Sequence, residues 1–305
     1  MFSNLKNFRE ILAVRNDRFG EFLLNIPALR ALKETYPEAR LTVAVDSRVR
    51  ELAECIAYVD RVVAWDADFK KNLRKFRFDA CIILNPTKEA HWAAFFSGIP
   101  ARVGYDRKWG RLLNYKMPDN KNLGLKHEVE YNLDLVGLIS AKTADKSISL
   151  GKLPGYNNPE YAAAVVIHPY TSDKVKVWPV ARFKELAGRI ARELKLKVVV
   201  VGAAEAGGEF DNLGESVSNL INKTSLVELA QILKQCKLLI SCDSGPVHLA
   251  AAVGTQVLAL FRNDLPGKTA HRWGPWGKGH IVIERSNLLD IAVDEALEQT
   301  KGILK

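Results

Sequence analysis

Ser241-Cys242-Asp243-Ser244-Gly245-Pro246-Val247-His248-Leu249-Ala250-Ala251-Ala252 is the stretch on which the fold turns. The apolar run Leu238 to Ser241 reads as a buried strand, Pro246 to Val253 as a helix, and Val257 to Phe261 as the next strand. A strand, a turn of small residues and a helix led by proline leave backbone N–H groups unpaired at a strand's carboxyl end, where phosphate is attracted. Capping accounts for Asp243 or Ser244 alone, but not for Asp, Ser, Gly and His together.

The same alternation extends outward. Towards the N-terminus, Val165 to Ile167 reads as a strand, Pro179 to Leu194 as an amphipathic helix, Lys197 to Val201 as a β-branched central strand and Leu226 to Leu233 as a helix. The stretch Asn287 to Thr300 is expected to be helical. An earlier series begins with a strand at Ile11 to Val14. Phe22, Ile26, Leu29, Leu32 and Tyr36 then recur at helical spacing, with Pro27 forcing a kink or an irregular start. Leu41 to Val45, Arg61 to Trp65 and Asp79 to Leu84 are further strands. From Arg102 to Leu150 the pattern weakens. Gly151 to Pro159 concentrates Gly, Pro and Asn and reads as a linker. The chain is therefore α/β, with two Rossmann-like domains at 1–155 and 156–305, and no short repeat. Such sheets bind ligands beyond the carboxyl ends of their strands.

Composition narrows the class. Of 305 residues, 48% are hydrophobic and 26% charged, which excludes wholesale disorder. No run of 18 uncharged apolar residues predicts a transmembrane helix, and the N-terminal stretch has no secretory pattern. Cys55, Cys81, Cys236 and Cys242 form no metal-binding spacing, so buried thiols in a cytoplasmic protein are expected. The net charge of +9 points to an anionic partner or to solubility alone. The segment Lys70 to Arg77 reads as a solvated basic face or as a patch for an acceptor or a membrane surface. The tryptophans, Trp178 and Trp273 included, are by default packing residues, although those two could border a donor cleft.

Three more strand ends carry polar groups. After the first strand, Gly20 allows close backbone approach and Glu21 stands at a helix start, either as a reactive carboxylate or as an acid complementing the helix dipole. The loop His168 to Trp178 offers the hydroxyls of Thr171 and Ser172 and the cation of Lys176, groups suited to a diphosphate; alternatively it is a solvated loop. Glu205, after Val201-Gly202-Ala203-Ala204, could bind ribose or belong to a plain turn, because GxGxxG is absent.

Residues 243–261, DSGPVHLAAAVGTQVLALF, resemble the D-[ST]-G-x-x-H motif of glycosyltransferase family 9, the heptosyltransferases of the lipopolysaccharide inner core. RNDRFGEFLLNIPALRALKETYP at 15–37, HPYTSDKVKVWPVARFKELA at 168–187 and RWGPWG at 272–277 resemble three other motifs of that family in the same order. The resemblance implies a GT-B fold, two Rossmann-like domains facing a central cleft, with the acceptor held by the N-terminal half and the donor by the C-terminal half. The helix at 287–300 would return to the first domain. It implies metal-independent, inverting transfer of a heptose from an ADP-sugar such as ADP-heptose to a lipopolysaccharide core or lipid A-linked acceptor, with no cofactor. The enzyme would be a cytoplasmic monomer, peripheral on the inner face of the inner membrane, without nucleic acid. By the same resemblance Glu21 takes the place of the catalytic base, where the family has Asp, and Lys176 neutralises the diphosphate. Asp243 meets sugar hydroxyls, Ser244, Gly245, Thr171 and Ser172 meet phosphate, and His248 is the motif histidine. Glu205 would meet ribose, and Arg15, Arg18 and Gly20 the acceptor. A GT-B-type nucleotide-sugar epimerase and a non-catalytic nucleic-acid-binding protein are the alternatives.

Overall fold

The computed structural model describes residues 7–205 and 207–304; the first six residues of the N-terminal stretch read for a signal lie outside them. The chain divides into two compact units, Met1–Lys152 and Leu153–Lys305, within the linker stretch.

The first unit runs β1 (Glu10–Arg15), α1 (Phe19–Leu23), α2 (Ile26–Thr35), β2 (Arg40–Val45), α3 (Arg50–Glu54), β3 (Arg61–Ala64) and α4 (Ala67–Asn72). It continues with β4 (Ala80–Ile83), α5 (Lys88–Phe96), β5 (Ala101–Asp106), β6 (Tyr115–Pro118) and α6 (Glu128–Gly137). Its six strands form one parallel sheet in the order β3-β2-β1-β4-β5-β6. Leu24 and Asn25 separate α1 from α2, with Pro27 in the first turn of α2. The Asn25 side chain donates to the carbonyls of Glu21 (2.6 Å) and Phe22 (3.3 Å), which satisfies backbone acceptors at the end of α1.

The second unit runs β7 (Val165–His168), α7 (Val180–Glu193), β8 (Val198–Val200), β9 (Val217–Asn219), α8 (Leu226–Gln235) and β10 (Leu238–Cys242). It ends with α9 (Gly245–Val253), β11 (Gln256–Arg262), α10 (Ala270–Trp273), β12 (Ile281–Arg285) and α11 (Val293–Leu304). Its sheet is also six-stranded and parallel, in the order β12-β11-β10-β7-β8-β9. The strands β7, β8 and β10 are buried throughout, as expected where helices cover both faces of a sheet.

Two expectations need correction. The weakly patterned segment 102–150 holds β6 and α6, and most of β5. The last helix begins at Val293 rather than Asn287, because Leu288–Asp290 forms a separate turn capped by the Asn287 side chain. That helix puts Val293, Ala296, Leu297 and Thr300 on one buried stripe; α7 does the same with Phe183, Leu186, Ala187 and Ile190. The apolar residues of both stripes share one core, flanked by Arg189–Asp294 (2.6 Å) and Lys301–Glu193 (3.7 Å) ion pairs. Within the second unit the last helix thus packs on α7.

Both sheets reverse their winding once, between β1 and β4 and between β7 and β10. At such a switch point neighbouring strands send their following loops to opposite sides, opening a crevice at their carboxyl ends. Among the described residues, no helix is long and apolar enough to cross a membrane.

Candidate active site

At the switch point of the second sheet, His168 ends β7 and lies in register with Ser241 of β10. His168 Nδ1 is 3.0 Å from Ser241 Oγ and 3.3 Å from Ser244 Oγ, and the two hydroxyls are 2.8 Å apart. Ser241 Oγ also donates to the His168 carbonyl at 3.1 Å. Burial pushes the imidazole down to about 4, so it is neutral near pH 7 and works as a hydrogen-bonding strut.

These bonds tie together the loops that carry the ionic groups. Lys176 Nζ is hydrogen-bonded to Asp243 Oδ2, and the two side chains are 14% and 11% exposed. Thr171 Oγ1 donates to the Asp243 carbonyl at 3.2 Å. Trp178 anchors the far end of the Lys176 loop: it is fully buried, its backbone N–H donates to Cys242 Sγ (3.3 Å) and its Nε1 to the Ile291 carbonyl (3.0 Å). Trp178 is therefore core, not a ligand platform.

Ser244 is the N-cap residue of α9, yet its side chain makes no capping bond, because its hydroxyl is held by Ser241 and His168. The helix start at Gly245 thus keeps N–H groups that no side chain of its N-cap satisfies, an arrangement suited to a phosphate. His248 is buried one turn further along. Ser172 is exposed in the Lys176 loop. The structure gathers Thr171, Lys176, Asp243, Ser244 and Gly245 at this end of the sheet. Glu205 is exposed and makes no hydrogen bond or ion pair among the described residues.

The first sheet's switch point is built around Arg15. Its buried guanidinium donates to Asp17 (2.7 Å) and to the Leu84 carbonyl (3.1 Å), and lies 3.9 Å from Glu128. Glu128 also binds Lys121 at 2.6 Å, and Lys121 Nζ lies 4.2 Å from the centre of the Tyr105 ring. Lys121, Glu128 and Tyr105 were not singled out from the sequence, since they fall in the weakly patterned segment. Gly20 is buried in α1. Glu21 projects from the same helix with its side chain 12% exposed and is paired with the exposed Arg18. Burial holds the Glu21 carboxyl above the ordinary value of 4.5, with Arg18 and Arg15 pulling the other way.

Beside this point a cavity of about 220 Å³ is lined by Asn16, Asp46, Ser47, Ala64, Trp65, Asp66 and Glu89. Trp65 Nε1 donates to Glu89 at 3.2 Å. These residues follow three different strands or start α5, and no linear motif could have joined them. All four cysteines are buried, and burial raises the thiols of Cys81, Cys236 and Cys242 to about 12, which leaves them unreactive. Among the described residues no group of three His, Cys, Asp or Glu is placed to hold a metal ion.

The sequence profile of Glycosyltransferase family 9 (heptosyltransferase) matches residues 66–290. Lipopolysaccharide heptosyltransferase 1 of Escherichia coli K12 is 24% identical, over 96% of this chain and 99% of its own length. The structure of E. coli ADP-heptose lipopolysaccharide heptosyltransferase II superposes with a TM-score of 0.82 at 21% identity, covering 97% of this chain and 98% of that one. E. coli heptosyltransferase WaaC with ADP-2-deoxy-2-fluoro heptose gives 0.77 at 20% identity, covering 96% and 99%. The two parallel α/β units thus have the GT-B fold of these transferases.

Proposed function

The chain belongs to glycosyltransferase family 9, a family of heptosyltransferases, and from that premise we propose that it moves a heptose or related sugar from an ADP-sugar to an inner-core lipopolysaccharide acceptor with inversion. The observation that carries this reading is the Lys176–Asp243 pair beside the α9 start, at the switch point of the second sheet. A cation and a row of N–H groups held together suit a diphosphate, and a carboxylate next to them suits sugar hydroxyls.

In this reading Glu21 removes the proton of the acceptor hydroxyl as its oxygen bonds to the anomeric carbon from the face opposite the diphosphate. The bond from that carbon to the diphosphate oxygen breaks, and the charge gathering on ADP is met by Lys176 and the α9 N–H groups. Thr171, Ser172 and Ser244 complete the phosphate contacts, Asp243 turns to the sugar, and Glu205 remains the ribose candidate. Arg15 acts on the Glu21 carboxyl by charge from its buried place beside Asp17, while Arg18 and the backbone at Gly20 face the acceptor. The cavity with Asp46, Asp66 and Glu89 offers carboxylate oxygens as hydrogen-bond acceptors, so it suits a hydroxyl-rich part of the acceptor.

Calorimetry with a panel of nucleotide sugars, followed by transfer assays with core-lipid acceptors, tests the proposal. An ADP-sugar is expected to bind. Lys176→Ala is expected to weaken ADP binding and to slow transfer on the order of a hundredfold, the scale of losing one preorganised contact to a developing charge. With the leaving group met in this way, transfer is expected to persist in excess chelator. Unchanged turnover and ADP affinity in Lys176→Ala would remove this site from the donor.

A further inference from the structure

Helix α5 buries Ala90, His91 and Ala94 against the sheet and leaves Phe95 42% and Phe96 69% exposed. The two phenylalanines belong to a preformed cluster of rings. Phe96 stacks on Trp92 with centroids 5.1 Å apart and planes at 20°; Phe95 meets Trp92 edge-on at 6.4 Å; and Trp92 leans on Trp109 at 5.9 Å. Cations surround the cluster. Lys88 Nζ and Lys108 Nζ lie 5.4 and 5.6 Å from the centre of Trp109, and the Arg102 guanidinium lies 5.4 Å from Phe95. Neither Lys88 nor Lys108 forms an ion pair among the described residues.

The basic segment singled out in the sequence belongs to the same layer. Phe69 of α4 and Leu73 and Phe78 after it share one core with Ala90 and Ala94 of α5, so both helices cover the same face of the first sheet. Lys71, Arg74 and Lys75 are exposed there without ion pairs among the described residues. The nearby acids do not cancel this charge: Glu89 is taken by Lys70, Asp106 is paired with Lys116, and Asp66 and Asp68 stand at the start of α4.

We infer that this face, centred on Phe95 and Phe96, docks on a bilayer surface rich in anionic phospholipid. Aromatic side chains settle at headgroup depth, and lysines around them pair with lipid phosphates, so rings and cations on one face match that interface on both counts. A second copy of the same face would bring like charges together, which disfavours self-association. With no spanning helix among the described residues, attachment through this face is peripheral. The inference stands on this surface and is independent of the transfer reaction.

Cosedimentation with phosphatidylcholine vesicles, with and without about 30 mol% phosphatidylglycerol, tests it. The full chain is expected to bind the anionic vesicles and to release them in high salt. Phe95→Ser/Phe96→Ser is expected to lower partitioning at least tenfold, and Phe95→Leu/Phe96→Leu to retain most of it. Lys88→Glu/Lys108→Glu is expected to lower it by about fivefold per cation. Thermal unfolding of the same variants reports the folding of the first unit, and their ADP affinity reports the donor reading separately. The inference is overturned if the full chain ignores anionic vesicles, or if both double variants bind them as the parent does. It is equally overturned if the only effect of Phe95→Ser/Phe96→Ser is to dissolve a dimer or to abolish oligonucleotide binding.

Discussion

Glu21 is pulled by two demands. A general base must be ionised at working pH, and burial makes ionisation costly; a carboxyl held above its ordinary value is the outcome. The sign of the linkage follows. A carboxyl whose folded pKa is raised contributes stability while protonated, and that contribution is lost as pH rises through the folded value. At neutral pH the ionised Glu21 therefore costs stability, and Glu21→Gln is expected to raise Tm slightly while removing transfer by a factor on the order of 10² to 10⁴. ADP affinity should be retained. The rising limb of the rate against pH should lie above 4.5, and the Gln variant should lose the matching slope of stability against pH. A Gln variant with near-parental turnover would take the base role from this residue. The sequence placed Glu21 at a helix start but left open whether it served reaction or dipole. Its partial burial between Arg18, Arg15 and Asp17 is tertiary, and only the fold displays it.

Among the elements, the loop between β7 and α7 is anchored at its far end by Trp178. Trp178 packs edge-on against Phe183, with centroids 4.7 Å apart at 88°, and bonds Cys242 and Ile291, thereby fixing where Lys176 can reach Asp243. Trp178→Phe keeps most of the apolar contact and removes the indole N–H bond to the Ile291 carbonyl, which still accepts from Arg182 at 2.7 Å. A loss of about 0.5–1.5 kcal/mol in denaturant unfolding is expected, with a weaker ADP affinity as the loop loosens. Stability and affinity both equal to the parent's would show that the indole anchors nothing. Legibility followed the same logic. Strands with continuous β-branched runs, such as Val198–Val200, and helices with one buried stripe, such as α7, are local patterns and were read directly. The strand Tyr115–Pro118 was not, since it is short, lies at the sheet edge, alternates in burial and ends in proline. Two of the four motif stretches, 168–187 and 243–261, hold most residues of the proposed donor locus. The Lys176–Asp243 pair spans 67 positions, and the cavity by Trp65 draws on loops far apart in sequence; neither has a linear signature.

At the scale of the molecule, the charge surplus is uneven. Residues 1–150 hold 25 Lys and Arg against 19 Asp and Glu, whereas the remainder holds 19 against 16. The more basic half carries the proposed acceptor locus and the lipid-docking face, and the other half carries the proposed donor locus. The second unit contains a complete six-stranded sheet and a core of its own, extending from Val165 to Leu297. A fragment of residues 153–305 is therefore expected to fold cooperatively. Because His168, Thr171, Lys176, Asp243, Ser244 and the α9 start all lie within it, the fragment should bind ADP within about threefold of the full chain, or roughly 0.7 kcal/mol. Lacking Glu21, it should transfer no sugar. Hydrogen exchange on the full chain supplies the second readout: ADP should protect amides in 168–178 and 241–248 and leave those around Glu21 unchanged. A folded fragment without ADP affinity, or ADP-dependent protection centred on the first unit, would relocate the donor site and with it the division of labour between the two halves.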